Sequence, residues 1–320
     1  MSKLAFDKKI EQLEALRGAA SPADELRKAL REKNNYFVSK AASIAGDLGL
    51  RESIPDLTAA FERFMRDPVK SDPQCWAKNA IAKALKDLDY QEPDFYVRGL
   101  QHRQLEPVWG GQEDTAATLR GASALALVAC PLPRLGILMH LVEALGGDPV
   151  KSVRVDAARA IAQMSGPDSV LLLRLKALCG DREAEVVGQC FAGLLAMSPH
   201  DSIPFVANFL DAKDENVRME AVAALGECHE PAAAETLQER WRAHKNPDVR
   251  RAILLSLGAS RLKAAADFLF SVIADGLSED AGNAIRALAA GRFREEFRER
   301  VASVVESRPN LRPAYEREFR

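Results

Sequence analysis

The chain has 320 residues, 47% of them hydrophobic and 28% charged, a balance too apolar for a disordered polymer and long enough for two cores or one elongated array. Its formal net charge of −2 lacks the strong positive field that a nucleic-acid binder usually carries. Five scattered cysteines predict free thiols in a reducing cytoplasm, and no apolar run suits a signal peptide or a membrane span.

In chain order, the spacing of apolar residues first predicts two amphipathic helices, from Lys3 to Arg17 and from Pro22 to Lys33. Ser21 is placed to cap the second, with Pro22 at its first helical position. Beyond this opening pair one helix recurs, aligned on Phe37, Trp76, Leu119, Val153, Val186, Val217, Val249 and, weakly, Asp280. From Leu119 onward the step is 31 to 34 residues. The clearest copy is DENVRMEAVAALGE, from Asp214 to Glu227, where Val217, Ala221, Val222, Leu225 and Gly226 share a helical face. The phrase returns in DVRRAILLSLG, from Asp248 to Gly258.

A second set of helices lies between these copies, over 53–66, 93–104, 133–145, 169–179, 202–212, 232–244, 263–275 and 294–307. Two of them open as SIPDL at Ser53 and SIPFV at Ser202, where a hydroxyl cap and an early proline suit a first turn. Each repeat is then a helical hairpin that cannot bury its apolar face alone, so neighbours must supply the missing wall. The expected fold is all-α, a right-handed α-solenoid forming a single domain over 1–320. Its parts are capping helices over 1–35, seven to eight repeats over 36–290, and a helical cap over 291–320.

The run Val-Arg-x-x-Ala-x-x-x-Leu-Gly, present as Val217, Arg218, Ala221, Leu225 and Gly226 and again as Val249, Arg250, Leu257 and Gly258, resembles the HEAT family. Within that family it is similar to the short repeats of phycobilisome (bilin) lyases. The resemblance implies that an Asp in the turn pairs with the Arg, and the matching offsets are Asp114 with Arg120 and Asp148 with Arg154. The pattern is degenerate elsewhere, with Val187 at an Arg position and Ala77 following Trp76. The family hosts scaffolds, lyases, hydroxylases and glycosylases, so the fold it implies does not select an activity.

Three activities can be weighed against the residues. A di-iron hydroxylase of this family needs several His-Glu pairs, but Met219-Glu220 stands where one should be, and His229-Glu230 falls in a loop before Pro231. An alkyl-base DNA glycosylase would need a cationic concave track. Outward positions on the recurring helices, including Ser39, Lys40, Lys78, Lys83, Asp156, Arg159, Glu220, Arg251, Asn283 and Arg286, are mixed in sign. The cluster Arg240, Trp241, Arg242, His244, Lys245 is read as an amphipathic helix with Trp241 in the core. A bilin lyase would want Arg or Lys in a groove, and no residue pattern here selects one.

No phosphate loop, CxxC or HExxH occurs, and Ser198, Pro199, His200 and Asp201 are too close in one turn to form a catalytic triad. No catalytic residue, metal or cofactor is expected. The insertion QLEPVWGGQEDT, from Gln104 to Thr115, is read as a long loop carrying a large ring, Trp109, beside Gly110 and Gly111. That ring either anchors a partner or folds back over the solenoid edge. A second insertion, from Met65 to Gln74, reads as a polar spacer. The expected function is a non-catalytic scaffold or adaptor in the cytoplasm that binds another protein, and neither nucleic acid nor membrane, through a concave face made by the recurring helices and through the 104–115 loop. The candidate contacts are Trp109, Arg159, Glu220, Arg251 and Arg286.

Overall fold

The computed structural model describes residues 3–260, 262–291 and 293–319. Of the two terminal segments, Met1, Ser2, Arg292 and Arg320 lie outside the described residues. Among the described residues the chain is all-α apart from one small hairpin, and its helices gather into two compact units, 1–164 and 165–320.

The first unit runs α1 (Lys3–Ala15), α2 (Ala23–Leu30), α3 (Asn35–Asp47), α4 (Ile54–Met65), α5 (Pro68–Ser71), α6 (Trp76–Asp87), α7 (Pro93–Gln101), β1 (Leu105–Val108), β2 (Gly111–Asp114), α8 (Ala117–Leu127), α9 (Arg134–Gly147) and α10 (Lys151–Met164). The recurring helices α3, α6, α8 and α10 pack one on the next, with α3, α8 and α10 each paired with the helix before it in sequence and α6 paired with α4. The second unit runs α11 (Gly166–Cys179), α12 (Ala184–Met197), α13 (Pro199–Ala207), α14 (Glu215–Glu227), α15 (Pro231–Ala243), α16 (Pro247–Ala259), α17 (Lys263–Asp275), α18 (Ser278–Ala290), α19 (Arg294–Glu306) and α20 (Arg312–Phe319). Here α12, α14, α16, α18 and α20 form the same succession. Each unit is a solenoid of stacked helical hairpins.

Most apolar register positions form the core: Phe37, Leu119, Val153, Val186 and Val249 are buried, while Val217 is half-buried. Trp76 is 46% exposed while Ala77 beside it is fully buried, so the register in α6 is displaced by one residue. The displacement follows from Gln74 and Cys75, two successive residues with positive φ, 62° and 55°, which rotate the start of the helix. Lys78 therefore points inward and is fully buried instead of lying on the outer face. Asp280 is also no apolar anchor, because its carboxylate pairs with Arg250.

The helix caps differ from the serine pattern. Pro22 itself is the N-cap of α2, and neither it nor Ser53 makes a side-chain cap bond. Ser202 and Pro204 sit inside α13, which starts earlier, at Pro199. The side chains that do cap are Asn34, Asp214 and Asn246, whose short acceptors reach the free amides of the first turn. Among the cysteines, Cys179 is exposed while Cys75, Cys130 and Cys190 are buried.

The closing glycine of the repeat phrase has a packing role. A methyl placed on Gly226 would come 1.7 Å from Ser256 Oγ and 3.1 Å from the Ser256 carbonyl oxygen, and one on Gly258 would come 2.4 Å from the carbonyl oxygen of Ala287. These glycines let α16 approach α14 and α18 approach α16. Ser256 closes the first contact by donating to Val222 O at 2.9 Å.

The Gly258→Ala variant is expected to be destabilised by about 1–3 kcal/mol, because its neighbour is backbone and cannot turn away. An exposed helix interior would instead gain up to about 1 kcal/mol from the same change. Urea denaturation distinguishes the two signs.

Candidate interaction site: a rooted β-hairpin and the outer faces of the recurring helices

The insertion from Gln104 to Thr115 is a β-hairpin, not an irregular loop. β1 and β2 are antiparallel, with Val108 opposite Gly111 and Leu105 opposite Asp114. The turn is Trp109-Gly110, and of these two only Gly110 has positive φ, +88°, the pattern of a type II turn that requires glycine at its second position. Pro107 removes one donor on the outer edge of β1, as the free edge of a two-stranded hairpin tolerates.

The hairpin is held from below by side chains drawn from three segments. Glu106, 5% exposed, accepts from the Gln74 amide at 2.7 Å, from Gln104 Nε2 at 2.7 Å and from Thr115 Oγ1 at 2.7 Å. Gln104 Nε2 also donates to Asp72 O at 2.8 Å. Asp72 is fully buried and takes the Ala77 and Lys78 amides at 2.9 and 3.0 Å, Lys78 Nζ at 2.9 Å and Asn35 Nδ2 at 2.9 Å. The stretch from Met65 to Gln74 is thus a structural socket, not a spacer. Its left-handed residues, Gln74 and Cys75, are strained backbone of about 1–3 kcal/mol each, and the Glu106 carboxylate holds the first in place.

On the other side of the root, Asp114 accepts the Gln104 and Ala116 amides at 3.2 and 3.1 Å and forms an ion pair with Arg120 at 2.7 Å. Arg120 is fully buried and also reaches Asp148, by Nε at 2.8 Å and Nη2 at 3.2 Å. The first turn pairing implied by the HEAT resemblance is therefore present. In the second, Arg154 donates to the carbonyls of Asp148 and Pro149 at 2.9 and 3.3 Å, while Arg120 and Arg103 reach the Asp148 carboxylate from the preceding repeat. In the second unit Arg250 does likewise, donating to Trp241 O at 3.1 Å and pairing with Asp280 at 2.6 Å. Its guanidinium lies 3.9 Å over the Trp241 ring, which is buried as the sequence predicts.

The electrostatics follow from this burial. Desolvation pushes the Glu106 carboxyl up, but the Gln74 amide, Thr115 hydroxyl and Gln104 amide together hold it below the usual carboxylate range. Asp114 behaves alike, raised by burial and brought below its ordinary value by Arg120 and the Gln104 amide. Burial lifts the Cys75 thiol to about 12, which leaves no thiolate for nucleophilic chemistry. Among the described residues no group of three or more His, Cys, Asp or Glu side chains is placed to hold a metal ion.

Above this root the hairpin is open. Leu105, Val108 and Trp109 are 55%, 41% and 103% exposed, so the Trp109 ring touches nothing and does not fold back over the solenoid. Two residues beyond the Glu106-bound Gln74, Trp76 lies edge-on to Tyr36 at 5.3 Å with about half its surface in water.

The remaining candidates fall on recurring helices. In the first unit Arg159 is exposed on α10 and pairs with Asp156 at 3.0 Å. In the second unit Arg251 is exposed on α16 and pairs with Asp248 at 2.9 Å, and Arg286 on α18 pairs with Glu318 of α20 at 3.1 Å. Glu220 on α14 is half-buried and lies over Gly188, where an added methyl would meet its Oε2 at 1.9 Å. Reading the sequence missed the root of the hairpin, Asp72, Lys78, Gln104 and Glu106. The available signal was the Asp72–Lys78 offset of six residues, the same as Asp114–Arg120 and Asp148–Arg154.

Comparison with known proteins places HEAT repeats at residues 173–244 and 203–289. No curated protein matches the chain. Among solved structures it is similar to the complex of CpcE and CpcF of phycocyanin lyase from Nostoc sp. PCC7120, at 18% identity and a TM-score of 0.35, covering 88% of this chain and 92% of that one. It is also similar to human deoxyhypusine hydroxylase in complex with glycerol, at 18% identity and a TM-score of 0.30, over 79% of this chain and 89% of that one. An engineered protein matches at 14% identity and a TM-score of 0.20, over 93% and 95% of the two chains. At these values none of the three bears on activity.

With Glu106 and Asp114 both depressed in the folded state, their stabilisation is present above the ordinary carboxylate pKa of about 4 and is lost as pH falls through the lower folded values. A Glu106→Gln variant is expected to melt below wild type at pH 7. The gap between the two should narrow as thermal melts are taken from pH 5 to pH 3.

Proposed function

We propose that this chain, which carries HEAT repeats across residues 173–289, is a non-catalytic scaffold or adaptor that binds another protein. The single observation that supports it most is Trp109, a ring at 103% exposure on a hairpin whose root is buried and hydrogen-bonded. Leaving a tryptophan in water forfeits the burial of a large apolar surface, and interface hot spots are enriched in this residue. Because the root is already ordered, docking the ring orders little additional chain, which favours affinity.

In this reading the outer faces of the recurring helices also carry contacts, with Arg159 in the first unit and Glu220, Arg251 and Arg286 in the second. Arg159, Arg251 and Arg286 have carboxylate neighbours within 3.1 Å, which weakens any grip on phosphates and favours a protein of mixed surface charge over nucleic acid. The free cysteines suit a reducing cytoplasm. No helix among the described residues is long and apolar enough to cross a membrane.

Affinity capture with wild type and Trp109→Ala as baits, followed by titration of the recovered partner, tests this directly. The variant is expected to keep its helical circular dichroism and to bind at least about 30-fold more weakly, the loss typical of a hot-spot tryptophan. Equal affinities would remove the hairpin from the interface. Turnover of a bilin or of alkylated DNA by the purified protein would replace the scaffold reading with a lyase or a glycosylase.

A further inference from the structure

A line of three aromatic rings crosses α1, α3 and α6 in the first unit. Phe6 lies 6.2 Å from Tyr36, and Tyr36 meets Trp76 edge to face at 5.3 Å and 69°. Two rings at that angle form a corner, one wall a ring face and the other a ring edge. Trp76 leaves it open to water, at 46% exposure. Its polar tips are unspent, because among the described residues neither Tyr36 Oη nor Trp76 Nε1 has a hydrogen-bond partner. Along the same face of α6, Asn79 and Ala80 stand one turn beyond Trp76, and Lys83 two turns beyond it. Lys83 is exposed and makes no ion pair among the described residues. Lys40 lies over the Tyr36 ring at 5.6 Å, and the acid it pairs with, Glu14 at 3.8 Å, is also held by Arg17 at 2.8 Å. The uncommitted charge beside the corner is therefore positive.

We propose that this corner binds an acidic, proline-rich segment of another protein, laid as a polyproline II helix along the outer face of α6, with a proline against Tyr36 and Trp76 and a carboxylate on Lys83. Aromatic-lined surfaces take such segments because polyproline II is formed before binding and little ordering remains to be done. Proline has no N–H, so a run of prolines offers the corner only carbonyl acceptors. Trp76 Nε1 and Tyr36 Oη can both donate to them. Trp76 and Lys83 are about 10 Å apart along α6, which a polyproline II chain covers in about three or four residues. The carboxylate therefore belongs that far along the segment from the docked proline. A nucleic-acid strand stacked on the same rings would need a cation for each successive phosphate, and Arg159, an outward cation further along the unit, is already paired with Asp156 at 3.0 Å. None of these residues belongs to the hairpin, so the outcome here leaves the role given to Trp109 untouched.

Fluorescence polarisation with a labelled oligoproline carrying one central glutamate tests this. Wild type is expected to bind it saturably, about 3- to 5-fold more tightly than the same peptide with glutamine at the centre, the range of an exposed ion pair. Trp76→Ala should keep its helical circular dichroism and bind at least about 10-fold more weakly. Tyr36→Phe, which keeps the ring and removes the hydroxyl, should bind about 3-fold more weakly. Lys83→Glu should reverse the order of the two peptides, and Trp109→Ala should bind as wild type does. Absence of saturable binding up to about 1 mM peptide overturns the proposal, as does binding that Trp76→Ala leaves unchanged or a peptide preference that Lys83→Glu does not reverse. An oligothymidylate that binds through Trp76 more tightly than the peptide overturns it in favour of single-stranded nucleic acid.

Discussion

A buried cation six residues beyond a turn carboxylate anchors this protein. Lys78 on Asp72 and Arg120 on Asp114 tie a turn to the first coil of the helix that follows. Arg120 on Asp148 and Arg250 on Asp280 carry the tie into the next repeat. Apolar burial is non-directional, so stacked amphipathic helices could slide past one another at small loss. Charge-assisted bonds have fixed geometry, and a stack displaced by a turn would strand a buried charge. Such pairs add little net stability, while losing one partner of a buried pair costs about 3–5 kcal/mol, which makes them better at excluding wrong registers than at deepening the right one.

The glycines complete the same arrangement from the opposite end of the helix. Ion pairs hold the turns, and Gly226 and Gly258 remove the side chain that would keep successive helices apart. The repeat phrase is thus two devices in one run of residues: an arginine near its start that grips the turns, and a glycine at its end that admits the neighbour. The hairpin in the first unit borrows the first device. Its root is the Asp72–Lys78 pair on one side and the Asp114–Arg120 pair on the other, so an exposed element of eight strand residues is tied to the helices below it.

Perturbed ionisable groups in this chain report that architecture. Glu106 and Asp114 are held low by donors that belong to the root, and the Cys190 thiol is pushed up to about 12 by enclosure in apolar side chains. Strong shifts often mark catalytic sites, but here each shifted group has its donors or its burial accounted for by packing. What the surface offers instead is aromatic: a tryptophan on a fixed support and the corner made by Tyr36 and Trp76, both in the first unit. Both are features that a partner's surface can bury.

The sequence alone determined the helices and their pairing, because amphipathic periodicity is local and every repeat restates it. The segments aligned on Val217 and Val249 became α14 and α16, burying Ala221, Val222, Leu225 and Gly226 in the first and Val249 and Leu257 in the second, with Val217 left half-buried. It also determined that Trp241 would be enclosed. Only the tertiary structure decided the fate of the polar residues. Glu106 and Gln104 lie in a stretch with a proline, acidic side chains and no alternating pattern, and their partners, Gln74 and Asp72, lie about thirty residues upstream. Lys78 looked exposed because Trp76 looked like the register residue, and two left-handed residues before the helix turned that reading by one position. An apolar side chain announces its own burial through its neighbours in the chain. A buried charge is tolerated only where a distant partner neutralises it, and that partner is brought near by the fold.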